Sequence, residues 1–193
     1  MAISIVCDCN EENEDFLLVK DWIESYVYYC ENDCNYVDLS NIKLKECMRE
    51  RCIDREYDRG SAFECIKSKK CIRENNTNQM LLFYQKLQKM NEGLIFLLDL
   101  STRENKRRLA MLNNNMRYNR VYRDSHRRNA LLIIIENDHT YDADLLNDFC
   151  INLEYIKIEI LDMFKINYRN LYYMKDVLQT AIVSLKKLER NNI

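Results

Sequence analysis

Leu94-Ile95-Phe96-Leu97-Leu98-Asp99-Leu100 decides how this chain of 193 residues is read. The run follows Gly93 and gives way to the polar stretch Ser101–Arg108. A segment this short and this apolar is either a strand buried on both faces or a buried piece of helix, and periodicity does not separate the two. Ala130–Ile135 poses the same question further on. Composition tips the balance. The chain has no proline and only two glycines, Gly60 and Gly93. Hairpin-rich sheets need both residues at their turns, and phosphate-cradling loops need several glycines together. A P-loop, a Rossmann fingerprint and a turn-rich β-sandwich are thereby excluded. An all-α fold is expected, and the alternative is α+β with 94–100 and 130–135 as strands.

Outward from that stretch, helical stripes dominate. Ile3–Cys9 alternates apolar and polar residues, as a strand or a short first helix would. Asp15–Tyr29 is helical, with Phe16, Val19 and Ile23 on its core side and Trp22 and Tyr26 on its flank. Asn35–Asp58 is charged and weakly amphipathic. A shorter helix over Ala62–Ile72, a turn at Glu74–Asn78 and a strong helix over Met80–Met90 follow. Asn113–Asn115 is the clearest linker, and Leu145–Leu153, Ile156–Ile166 and Tyr172–Leu188 carry further helical stripes. Two helical units are expected, 1–112 and 117–193.

Charge is nearly balanced, 29 basic against 31 acidic residues, so nothing marks a general polyanion binder. Residues 103–128 hold nine Lys/Arg against two acids, which a solvated helix face explains without a nucleic-acid partner. Nine cysteines are odd in number and too sparse for a stapled mini-domain. The N-terminus lacks the basic region and cleavage site of a secretion signal. No apolar stretch nears the roughly 20 residues needed to span a bilayer. A reduced, cytoplasmic protein with no membrane partner is expected. The spacings Cys7-x-Cys9, Cys30-x3-Cys34, Cys47-x4-Cys52 and Cys65-x5-Cys71 lack a C-x2-C knuckle, and His126 and His139 are the only histidines. Free thiols are expected, with no metal and no cofactor.

One stretch resembles a known family. Ala62–Ile66, Ile72–Asn76, Met80–Leu87, Leu94–Leu98 and Arg103–Leu109 are similar in order and spacing to the second half of a death-effector domain. Glu14–Ile23 looks like the acidic-led second helix of that fold, and Arg117–Val121 like the start of a second such domain. Arg169-Asn170-Leu171 lies where the family keeps an Arg-x-Asp-Leu motif, whereas the first unit has Glu92-Gly93-Leu94-Ile95 there. The length suits the tandem viral FLICE-inhibitory proteins. The resemblance implies two bundles of death-fold type and a non-enzymatic interaction module. It would engage death-effector adaptors or initiator-caspase prodomains, with possible self-association, and block apoptotic signalling in an infected host. Asp21, Trp22, Tyr26, Glu92 and Arg169 are the partner-binding residues it implies. In the second unit Asn129–Asn137 and Asp142–Phe149 also resemble the first strand and helix of a caspase domain, truncated and without its catalytic motifs.

Catalytic chemistry has little support in the residues. Asp99, Glu136 and Asp138 end apolar runs and could converge on Mg²⁺ in an α/β fold, though carboxylates also simply solvate such ends. The alternative function is therefore an α/β nucleic-acid-binding or Mg²⁺-dependent phosphoryl-transfer protein using 103–128. His126 and His139 have no recognisable Ser or Cys partner. No catalytic residue is expected.

Overall fold

Gly93–Asp99 is a strand, and every one of its residues is buried. In the computed structural model it is the third of five strands among the described residues, β1 (Ile3–Cys7), β2 (Tyr36–Asp38), β3 (Gly93–Asp99), β4 (Arg128–Ile135) and β5 (Ile158–Ile166). Among the same residues they alternate with five helices, α1 (Glu14–Tyr28), α2 (Arg59–Gln88), α3 (Arg103–Tyr118), α4 (Ala143–Tyr155) and α5 (Leu171–Arg190). The structure describes residues 3–7, 14–28, 36–39, 42–44, 59–89, 93–119, 127–135, 143–166 and 171–190.

All neighbouring strands pair parallel, in the order β2-β1-β3-β4-β5. The all-α bundles expected from composition do not form. Both apolar runs are strands, as in the alternative, here interleaved with helices in an α/β layout. Scarce glycine and absent proline exclude hairpins, but parallel strands are joined by helical crossovers that need neither residue. The same composition that argues against a meander is compatible with this sheet.

Alternation along each strand divides two cores. Val6, Leu94, Phe96, Leu98, Ala130, Leu132 and Ile134 meet α2, α3 and α4 on one face. Ile3, Ile5, Ile95, Leu97, Leu131 and Ile133 meet α1 and α5 on the other. A strand covered on both sides reads as a solid apolar run, which is why no period shows in 94–100. Phe16, Val19 and Ile23 are fully buried on α1, as their spacing predicts.

Three local expectations change. The turn expected at Glu74–Asn78 lies within α2, which runs unbroken for 30 residues. Asn76 is buried on the same helical face as Met80, Phe83 and Leu87, so a polar residue interrupts the stripe without ending the helix. The linker expected at Asn113–Asn115 lies inside α3. Asn113 is 4% exposed. Its Nδ2 donates to the Leu145 carbonyl at 2.9 Å, and Asn152 Nδ2 donates to the Asn113 carbonyl at 3.2 Å, joining α3 to α4. Ile156–Ile166, expected as helix, is mostly β5. Ala130 pairs with Ile160 and Leu131 with Asp162, so Leu161 is an inserted residue. That bulge puts Ile158 and Ile160 on one face and Phe164 and Ile166 on the other, which scrambles the alternation.

Basic residues of 103–128 also serve the fold. Arg128 is 4% exposed, and its Nη1 donates to the Leu87 carbonyl. It caps the C-terminal end of α2, where a cation complements the helix dipole. This guanidinium is not available to a nucleic acid.

Burial also marks Tyr84, whose phenol is pushed up to about 12 by loss of water around it. An unfolded tyrosine ionises near 10. The folded state resists the phenolate, so the associated stability is complete below about pH 10 and is lost as pH rises toward about 12. Alkaline unfolding is expected to begin in that window. Tyr84→Phe should flatten the fall in a urea-denaturation series across it. An unchanged slope would remove Tyr84 as its source.

Candidate functional site

Strand order locates the site. From β1 the chain passes through α1, on one face, to β2; from β3 it passes through α3, on the opposite face, to β4. The carboxyl ends of β1 and β3 therefore diverge at a switch point, where sheets of this kind bind ligands. At the carboxyl end of β3 lies a cavity of about 270 Å³. Its walls are Leu39 and residues 42–44 after β2, the strand end Leu98–Leu100, and α3 from Asn105 to Leu112. Larger hollows of about 550 Å³ beside β5 and α5 and about 800 Å³ beside α4 and the start of β5 lie away from the switch point.

The β3–α3 connection is built by short-range hydrogen bonds. Asp99, 1% exposed, accepts the Ser101 amide on Oδ1 at 2.8 Å. Leu100 continues the ladder by donating to the Ile135 carbonyl at 2.7 Å. Thr102 is the N-cap of α3 and accepts the Asn105 amide on Oγ1 at 3.1 Å. Such a cap stabilises a helix by about 1 kcal/mol. It also fixes where the first turn begins, and with it Asn105 and Arg108.

Those two residues hold each other. Arg108 Nη2 donates to Asn105 Oδ1 at 2.7 Å. A guanidinium has no acceptor, so this contact settles which amide atom faces Arg108 and leaves Nδ2 on the other side. Asn105 is 5% exposed, and its Nδ2 has no acceptor among the described residues. Buried polar groups are nearly always partnered, and this orphan donor belongs to a residue that lines the cavity. Elsewhere the walls are apolar, with Leu39, Ile42, Leu44, Leu98, Leu109 and Leu112. Lys43, exposed, stands at the rim.

The residues expected to bind a partner do not gather here. Asp21 is exposed on α1. Trp22 is partly buried against the α1–α5 core, its ring 6.2 Å from Tyr172 and 5.6 Å from Lys175 Nζ. Tyr26 falls in α1, its side chain outside the described residues. Glu92 and Arg169 also lie outside them, as do Glu136 and Asp138. No group of three potential metal ligands occurs among the described residues. Asn105 escaped the sequence reading. The signal was a capping threonine directly after an apolar run, with Asn and Arg one and two helical turns on.

No family model matches the sequence, and no curated protein does. Three solved structures follow the chain over most of its length. The azoreductase AzrA is 10% identical, with 97% of this chain and 96% of that one covered and a TM-score of 0.46. An azoreductase from Bacillus anthracis is 11% identical, with 97% and 96% covered and a TM-score of 0.45. A Klebsiella pneumoniae protein assigned as a quinone reductase is 10% identical, with 96% and 85% covered and a TM-score of 0.49. At that distance the likeness carries no argument about chemistry. The parallel sheet itself overturns the death-effector resemblance, because the helical bundles whose surfaces would dock an adaptor or caspase prodomain are not formed. The truncated-caspase variant and the non-enzymatic, anti-apoptotic role fall with it.

This strand order is also that of proteins that hold flavin mononucleotide at the switch point. The group's phosphate needs backbone and side-chain donors where β1 turns into α1. Here α1 opens on Glu14, and the sequence from Asp8 to Asp15 holds Asp8, Glu11, Glu12, Glu14 and Asp15 with no Gly, Ser, Thr, Lys or Arg. Acidic residues lead in sequence into α1, whose first residue is Glu14, and that negative charge would repel a phosphate. The residues do not fit the group. Fluorescence titration with flavin mononucleotide is expected to give a Kd weaker than about 1 mM. Micromolar binding would contradict this account of the turn.

Proposed function

We propose that the chain is an α/β enzyme acting on a small organic molecule in the cavity at the carboxyl end of β3. One observation carries this reading: apolar walls converge there on the buried side chains of Asp99 and Asn105, with Arg108 beside them. Pockets that bind small molecules pair an apolar lining with a few placed polar groups, and α/β sheets put them at this edge.

Each group has a chemical role in that setting. The Asp99 carboxylate is held by the Ser101 amide and is the group placed to take a proton from a substrate or return it. Arg108 and the N-terminal end of α3 favour negative charge developing on a substrate oxygen. The leucines exclude water, which strengthens those electrostatic effects. The neighbours' reductase names are not carried over, since identities of 10–11% carry no chemistry to this chain.

The thiol of Cys150, not joined in a disulfide, fits a reducing, cytoplasmic setting. Among the described residues no helix is long and apolar enough to cross a membrane.

Titration of the labelled protein with a library of small organic molecules, followed by amide chemical shifts, tests the proposal. Ligand-induced shifts are expected to centre on Leu98–Leu100 and Asn105–Leu112. Shifts confined to the groove between β5 and α5 would overturn it.

A further inference from the structure

β5 stands at one edge of the sheet. Among the described residues no strand lies beyond it, and it runs for nine residues where β2, at the opposite edge, has three. Hollows flank it on both faces, beside α5 on one and α4 on the other. Ile158, Ile160, Leu161, Met163, Phe164 and Ile166 make it mostly apolar. A long apolar edge of this kind is a template for a strand from another molecule, and the nearest supply is a second copy of the same chain.

Two features interrupt that template at one place. Leu161 is the inserted residue of the bulge between the pairs Ala130–Ile160 and Leu131–Asp162, and a bulge bends the strand and breaks its even spacing. Beside it Asp162 is exposed, and the Met163 amide donates to its Oδ1 at 2.8 Å. An amide held by a neighbouring side chain competes with the bonds of an added strand. Asp162 is also the middle residue of 158–166. Two copies of β5 paired antiparallel along their full length would set one Asp162 opposite the other, where like charges repel. A slip of one residue would set the carboxylate against Leu161 or Met163, where it loses water and gains no partner.

We propose that Asp162, set at the bulge, closes the β5 edge to a further strand and so keeps two copies of this chain from pairing there. Asp162 lines the groove beside α5 and not the cavity at β3, so this role is separate from the proposed chemistry.

Sedimentation and amide hydrogen exchange on the full chain, each at low and high protein concentration, test the proposal. Wild-type amides of 158–166 are expected to exchange at rates independent of concentration. Asp162→Val removes the charge and the acceptor and supplies a side chain that favours strands. It is expected to tighten self-association about tenfold or more, with new protection at high concentration centred on 158–166. Asp176→Val removes an exposed carboxylate from α5 beside the same groove and should associate no more than wild type. Both positions are exposed, so both variants are expected to melt within a few degrees of wild type.

Exchange in wild-type 158–166 that slows as concentration rises overturns the proposal, because the edge then already pairs. A folded Asp162→Val that associates no more than wild type overturns it too. So does Asp176→Val associating as strongly as Asp162→Val, since loss of any carboxylate would then suffice.

Discussion

Burial of one strand on both faces is the constraint from which the rest of the molecule follows. Leu94, Phe96 and Leu98 fill the core under α2, α3 and α4, while Ile95 and Leu97 fill the core over α1 and α5. Each such side chain contributes about 1.5–3 kcal/mol relative to exposure. No helix could divide consecutive residues this way between two opposite layers, because its side chains advance around a cylinder. β3 is flanked by β1 and β4 in parallel register, and parallel neighbours require crossovers, so the helices must cover both faces.

The same strand delivers the chemistry. Where β3 leaves the two cores, its last residue is a buried carboxylate and the next turn is a threonine-capped helix start. The cap fixes the first turn of α3, Arg108 fixes the Asn105 amide, and the apolar walls come from the strand, the helix and the segment after β2. Asn75 and Gln79 of α2 steady that last segment through the Lys43 carbonyl and amide, both at 3.3 Å.

Several parts of this were legible in the sequence, and the failures have physical causes. The core side of α1 follows from the spacing of Phe16, Val19 and Ile23. The helix around Met80–Leu87 and both apolar runs stand out as well. What misled was the meaning of missing glycine and proline, which speaks to turns and not to strands. β5 was hidden by the bulge at Leu161 and by its place at the sheet edge, where Asp162 and Lys165 remain exposed and break the apolar run. The asparagines of 75–78 and 113–115 look like breaks because asparagine favours turns. Asn76 and Asn113 are instead buried on helices, the latter spanning to α4. The site was hidden for another reason. Asn105 matters through an unmet hydrogen bond and a cavity, and neither is a property of a linear pattern.

Parallel register between β3 and β4 is the claim on which all of this depends. Nuclear Overhauser contacts between backbone protons of Leu97 and Ile133, and of Ile95 and Leu131, test it directly. The account predicts these cross-strand contacts together with slowly exchanging amides throughout 94–98. Sequential helical contacts across Leu94–Leu100, with none to 131–133, would contradict it.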